Sequence, residues 1–223
     1  MLNILIKESD LLFQYGLQVF LADLFQRGFR EEVQFSSHFT HDGVSVADIV
    51  VLSLCVGEVF TCIPELQSRK KGIVIGLVDD ECREATTPSC FEDIILISRR
   101  ASVLKIREII YFAWYKTQLP GYRWNKNVCL DCHHKKLSPQ QIRIMASFYK
   151  GLSVMEIAHE LNISDKTVFS HKYMLMQKFD LRNDYELIVL LNRLAEKNSA
   201  PNFFRDYLTM DIKNYEVAAS SAR

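Results

Sequence analysis

Short, almost uninterrupted apolar runs alternate with helical periodicity through the first half of the chain. Leu2–Ile6, Ile49–Leu54, Ile73–Val78 and Ile94–Ile97 are such runs. Their length and branched composition suit strands buried on both faces of a parallel sheet. Val33–Phe35 is a shorter candidate strand. Between them, Leu11–Phe25 spaces Leu12, Val19, Leu24 and Phe25 as one face of a helix, and Ser102–Tyr115 lines up Ile106, Ile109, Ile110 and Ala113. Strands alternating with helices predict an α/β fold with a doubly wound parallel sheet.

The pattern changes after residue 136, where only helical periodicity remains. Ser138 precedes Pro139 and stands three residues before Gln141, and Ser153 stands three before Glu156. Both are capping boxes, in which side chain and backbone satisfy each other's orphan donors at a helix start. Ser164 opens a third helix with Asp165 in its first turn, where the helix dipole favours negative charge. Only Asn162 and Ile163 are left for the turn between the second and third helices. Two helices joined so tightly predict a helix-turn-helix, whose second helix enters the major groove of DNA.

In that third helix Val168, His171 or Lys172, Leu175 and Phe179 are spaced to face a core. His171 lies one turn from Val168 and is expected to pack partly. Lys166, Phe169, Ser170, Tyr173 and Gln177 lie on other faces. They offer an ammonium, a hydroxyl, a phenol, an amide and an aromatic edge able to touch a thymine methyl. Lys166 and Thr167 are expected to hold phosphates at the helix start. Phe169, Ser170 and Tyr173 are the candidates for base edges, with Lys172 and Lys178 as further backbone contacts. The competing reading is an ordinary solvated helix of a small bundle.

Composition divides the chain in the same place. Residues 1–128 carry 14 basic against 16 acidic residues, a net of −2, and residues 135–197 carry 10 against 7, a net of +3. An acidic front and a mildly basic back suit a control domain joined to a DNA binder. The expected organisation is 1–118 as the α/β domain, 119–136 as linker, 137–197 as the helical domain and 198–223 as a tail. In that tail Phe203, Phe204, Tyr207 and Leu208 could dock as a short helix. There is no run of about eighteen apolar residues to span a membrane, and Lys7, Glu8 and Asp10 come too early for a signal peptide. The six cysteines are scattered as in a cytosolic protein, and the expected location is the cytoplasm, on the nucleoid. Arg69, Lys70 and Lys71 are expected to end a solvated helix. No paired nucleophile and base, phosphate loop or cofactor fingerprint is present, so neither an enzyme nor a cofactor is expected.

The motifs of the second half resemble the LuxR/GerE-type DNA-binding domain of bacterial transcription regulators. The pattern runs through Leu137, Ser138, Gly151, Leu152, Ser153, Glu156, Ile157, Ala158, Leu161, Asn162, Ile163, Ser164, Lys166, Thr167, Val168 and His171. The resemblance implies four helices, the third for recognition. It also implies a fourth, Asp184–Lys197, of the kind that often makes a dimer contact. Phe169 stands where many members place a basic residue. In architecture the first half resembles a response-regulator receiver of the NarL/FixJ-like kind. The position of the family's phosphoacceptor aspartate is Ser53, and its acidic pair is matched by Glu8 and Ser9. The switch hydroxyl is replaced by Val78, and the family's lysine after strand five falls near Ser98 or Arg99.

An acyl phosphate needs a carboxylate nucleophile and a divalent cation, and neither requirement is met at Ser53. The resemblance therefore implies a regulator acting without aspartyl phosphorylation. It is nearest to the auxiliary RcsA- and BglJ-like regulators, with Lys166–Lys172 reading KTVFSHK. The implied partners are double-stranded DNA and a second protein chain, in a homodimer or a heterodimer with another response regulator. Tyr111, Phe112, Trp114 and Tyr115 crowd the helix on which such relatives often pair. Two alternatives stand beside this: an auxiliary protein that binds DNA poorly alone, and a regulator phosphorylated on a non-standard acid such as Glu58. Cys129, Cys132, His133 and His134 could be plain linker residues, a metal site that draws on a partner's ligands, or a redox sensor.

Overall fold

The computed structural model describes residues 1–79, 93–122, 137–197, 202 and 204–210. The chain divides into two compact units, Met1–Leu54 with Cys62–Cys132 and Cys55–Thr61 with His133–Arg223. Cys129, Cys132, His133 and His134 lie outside the described residues, as do Cys82, Cys90 and most of the expected linker.

The first unit is built on five parallel strands: β1 (Leu2–Lys7), β2 (Val33–Ser36), β3 (Ile49–Ser53), β4 (Ile73–Val78) and β5 (Ile94–Ser98). Their order is β2-β1-β3-β4-β5, a doubly wound sheet whose winding reverses between β1 and β3. Ile4 pairs with Ile49, and Ser53 with Leu77. Every residue of β4 is buried, and all but the last of β3, which explains why both read as unbroken apolar runs. Among the described residues, helices α1 (Leu11–Phe29), α2 (His41–Val46) and α3 (Val103–Thr117) belong to the same unit. Leu21, Leu24, Phe25, Ile110 and Trp114 join the strand residues in one core.

Two expectations change here. Leu12 and Val19 do not face the core: α1 carries two apolar stripes, and the one facing the sheet runs through Leu21, Leu24 and Phe25. The basic run after residue 68 is not a solvated helix end. A 3-10 turn ends at Ser68, Arg69 is buried and paired with Asp93, and Lys71 pairs with the buried Asp48. Asp48 also accepts the Asn3 N–H at 2.8 Å. Gly72 (φ 81°) sits where any Cβ would meet the Asp48 carbonyl, so that turn needs glycine.

The second unit holds α4 (Pro139–Tyr149), α5 (Val154–Leu161), α6 (Asp165–Lys178) and α7 (Asp184–Glu196). Both predicted capping boxes form, Ser138 with Gln141 and Ser153 with Glu156. Ile144, Ile157, Ala158 and Val168 make a core to which Phe148, Leu152 and Leu161 add. Leu187, Leu190 and Leu191 are the buried stripe of α7. Residues 204–210 of the tail are helical, and Phe204 is buried edge-on against Tyr149 at 5.9 Å.

Cys55–Thr61 also belongs to this unit. Glu58 is buried there, its carboxylate held by Lys197 at 3.1 Å, by Arg193 at 3.5 Å and by the Cys55 N–H at 3.1 Å. Burial pulls the Glu58 carboxyl upward, but Lys197 and Arg193 outweigh it and leave it below the usual carboxylate range. The same burial, reinforced by the Glu58 charge, pushes the Cys55 thiol up to about 12, so it stays protonated.

Candidate nucleic-acid interface

Asn162 ends α5 in the left-handed conformation (φ 51°), and its N–H reaches the Ala158 and His159 carbonyls. That reversal lets Ser164 cap α6 two residues later: the Thr167 N–H donates to Ser164 Oγ at 3.2 Å, and the two side-chain oxygens lie 2.9 Å apart. A tight turn between two capped helices is the helix-turn-helix geometry. Val168, Leu175 and Phe179 are buried, which fixes the rotation of α6 about its axis.

That rotation sorts the candidate contact residues. Lys166, Phe169, Ser170, Tyr173 and Gln177 are exposed, Thr167 is half-buried at the first turn, and Lys178 is half-buried at the last. Lys172 is engaged elsewhere. Its ammonium lies 2.6 Å from Asp184 and 5.5 Å from the centre of the Phe148 ring, and its side chain keeps 15% of its exposure. The expected backbone contact from Lys172 would first have to break that pair. Asp184, the first residue of α7, is the partner that helical spacing could not supply. Two further bonds order the exposed face: Ser170 Oγ donates to the Lys166 carbonyl at 2.8 Å, and Gln177 Nε2 donates to Tyr173 Oη at 2.9 Å. His171 is half-buried, as its spacing from Val168 suggested.

At the C-terminal ends of β1, β3 and β5, the first unit brings together Glu8, Ser53 and Arg99. The Arg99 guanidinium donates both to the Glu8 carboxylate and to the Ser53 hydroxyl. Its Nε lies 3.6 Å from Asp79, and its Cζ sits over the Phe13 ring, 4.5 Å from the ring centre. The second Glu8 oxygen accepts the Ser9 and Asp10 N–H groups at 2.8 and 2.9 Å. The carboxylate is thus neutralised and hydrogen-bonded on both oxygens by the protein itself. Arg99, rather than Ser98, is the residue after β5 that reaches this cluster. Ser9 is exposed and Val78 buried. No group of three or more potential metal ligands occurs among the described residues. Glu58, the alternative acceptor, has its carboxylate committed to Lys197 and Arg193.

Residues 135–191 match the family model of bacterial regulatory proteins of the luxR family. The transcriptional regulatory protein RcsB of Escherichia coli is 40% identical over 67 residues, 30% of each chain. The response regulator UvrY of the same species is 40% identical over 57 residues, 26% of each. The matched stretch therefore spans under a third of the length of these curated relatives. Two solved structures share the fold over most of the chain. One is a complex of the two-component response regulator RcsB with DNA, with 20% identity, a TM-score of 0.50, and coverage of 86% of this chain and 98% of that one. The other is RcsB of Salmonella enterica serovar Typhimurium bound to a promoter in the presence of a phosphomimetic, with 20% identity, a TM-score of 0.55, and coverage of 85% and 97%. The first unit thus shares the parallel-sheet fold of these solved structures, and residues 135–191 of the second are similar to the luxR-family model. No helix among the described residues is long and apolar enough to cross a membrane.

Proposed function

We propose that this chain is a DNA-binding transcriptional regulator whose receiver-like domain works without aspartyl phosphorylation. The observation that carries the DNA-binding reading is the exposed outer face of α6, set by the tight α5–α6 turn within a luxR-family domain. Lys166 and Thr167 at the start of α6 meet phosphates, where the helix dipole adds to the ammonium charge. Phe169, Ser170 and Tyr173 meet base edges. Two copies related by symmetry place one α6 in each half-site.

Arg99 supports the phosphorylation-independent reading. An acyl phosphate requires a carboxylate nucleophile, and a divalent cation must offset the charge of the incoming phosphoryl oxygens. Ser53 supplies a hydroxyl in place of a carboxylate, and its oxygen accepts from Arg99. The cation position beside Glu8 is taken by a guanidinium that is part of the chain. The domain is in effect permanently neutralised at the place where relatives switch.

A second reading has support of its own. Phe112 and Tyr115 on α3, and Leu11, Leu12 and Tyr15 on α1, are exposed. Exposed aromatic side chains such as Phe112 and Tyr115 are typical of an association surface, which suits a regulator that acts paired with a full response regulator. One experiment separates the readings. The chain is incubated with acetyl phosphate and magnesium and analysed for a hydroxylamine-labile adduct. Duplex retention is then measured for the chain alone and with a candidate response regulator added. The proposal expects no adduct and retention by the chain alone. A stoichiometric adduct overturns the phosphorylation-independent reading. Retention only with the added regulator assigns the auxiliary role instead.

A further inference from the structure

We infer that α6 is a reader of thymine methyl groups, so that the duplex this chain selects is rich in A·T pairs where α6 meets the major groove. This rests on the DNA-binding reading above and adds to it the chemistry of the preferred base pairs.

Three large side chains project from the outer face of α6: Phe169, Tyr173 and Met174 keep 55%, 62% and 43% of their exposure. Buried Leu175 and Val168 lie on the opposite side, so these three are not a misdirected core. Phe169 and Tyr173 stand one turn apart, with Ser170 and Gln177 beside them on the same face. The polar groups of that face are partly committed. The Ser170 hydroxyl hydrogen is given to the Lys166 carbonyl, which leaves that oxygen as an acceptor. The Gln177 amide donates to the Tyr173 oxygen, a bond that does not use the tyrosine hydrogen, the second amide hydrogen or the Gln177 carbonyl oxygen.

The base pairs differ in what they ask of such a face. Guanine offers two acceptors in the major groove and is read most often by an arginine or lysine. Helix α6 contains no arginine. Of its lysines, Lys172 is paired with Asp184, Lys178 is half-buried in the last turn, and Lys166 lies in the first turn. With Lys166 assigned to a phosphate, the residues left for base edges, Phe169, Ser170, Tyr173 and Gln177, carry no cation to give to guanine. Thymine alone presents an apolar group there, its methyl, and adenine presents the donor and acceptor pair that a glutamine side chain matches. Two aromatic rings, a thioether and one glutamine fit A·T pairs on both strands.

The test isolates the methyl. A randomised duplex pool is selected on the full chain, and the enriched duplexes are then prepared with thymidine or with deoxyuridine, which lacks only the methyl. Enrichment in A·T pairs is expected, with the thymidine form bound more tightly. Burying one methyl is worth about fourfold in affinity, so two per complex give about fifteenfold. Phe169→Ala and Tyr173→Ala should each cut that ratio by about fourfold, with the circular dichroism spectrum unchanged because both side chains are exposed. Three outcomes overturn the inference. One is equal binding of the two forms by a chain that does retain duplex DNA, which leaves the DNA-binding reading standing. Another is enrichment of G·C-rich duplexes. The last is failure to retain any duplex, with the alanine variants altering self-association instead, which removes the DNA-binding reading as well and assigns the aromatic face to a protein partner.

Discussion

Replacing Arg99 by alanine tests how the acceptor site is neutralised. The Glu8 side chain keeps 2% of its exposure and that of Arg99 21%. The variant therefore leaves a carboxylate in the interior with only the Ser9 and Asp10 N–H groups. Removing one partner of a buried ion pair costs about 3–5 kcal/mol. The partial exposure of Arg99 and the two retained N–H bonds place this case near 3 kcal/mol, on the order expected for a partly screened pair. For a domain of this size that is a fall of about 12 °C in the transition of the first unit. Differential scanning calorimetry of the full chain reads it. Glu8→Gln on the Arg99→Ala background should recover more than half of the loss, because no uncompensated charge then remains. An Arg99→Ala transition within about 3 °C of the parent, or a double variant no better than the single one, would refute internal neutralisation.

Two further predictions concern the second unit. The Glu58 carboxyl is held below its ordinary value of 4.5, so the stability it contributes is fully present above that value and is lost as pH falls through the lower, folded-state pKa. Acid unfolding of this unit should therefore be steeper in the parent than in Glu58→Gln, and the variant should be less stable at neutral pH by about 3 kcal/mol because Lys197 loses its counter-charge. Equal acid profiles would show that Glu58 is not ionised in the fold. Ser138→Ala removes one half of the capping box on α4 and should cost about 1 kcal/mol, read as a fall in the second unit's thermal midpoint with no change in its helical spectrum.

The sheet was legible in the sequence because its central strands are buried on both faces, which leaves no alternation to misread. The helix-turn-helix was legible because capping is local: Ser138 with Gln141 and Ser153 with Glu156 are written within four residues. What was hidden depends on contacts distant in sequence. Helical spacing shows that α1 has apolar faces but not which one meets the sheet, so Leu12 and Val19 misled while Leu21 was passed over. Lys172 reads as free until Asp184, twelve residues away, is seen beside it. Arg99 acquires its role only when β5 is laid next to β4, which brings it 91 positions back to Glu8. The pair of arginines directly after β5 was the available signal, since two cations at the functional end of a parallel sheet need partners there. Nothing in the apolar pattern marked Glu58, whose partners Arg193 and Lys197 come from the far end of the chain.

The most direct measurement is the salt dependence of duplex affinity for the parent and for Lys166→Ala, by fluorescence anisotropy. With Lys166 on a phosphate, the variant binds more weakly across all sequences, and its slope of log affinity against log salt is shallower by about one unit. An unchanged slope with unchanged affinity would contradict the placement of α6 against DNA.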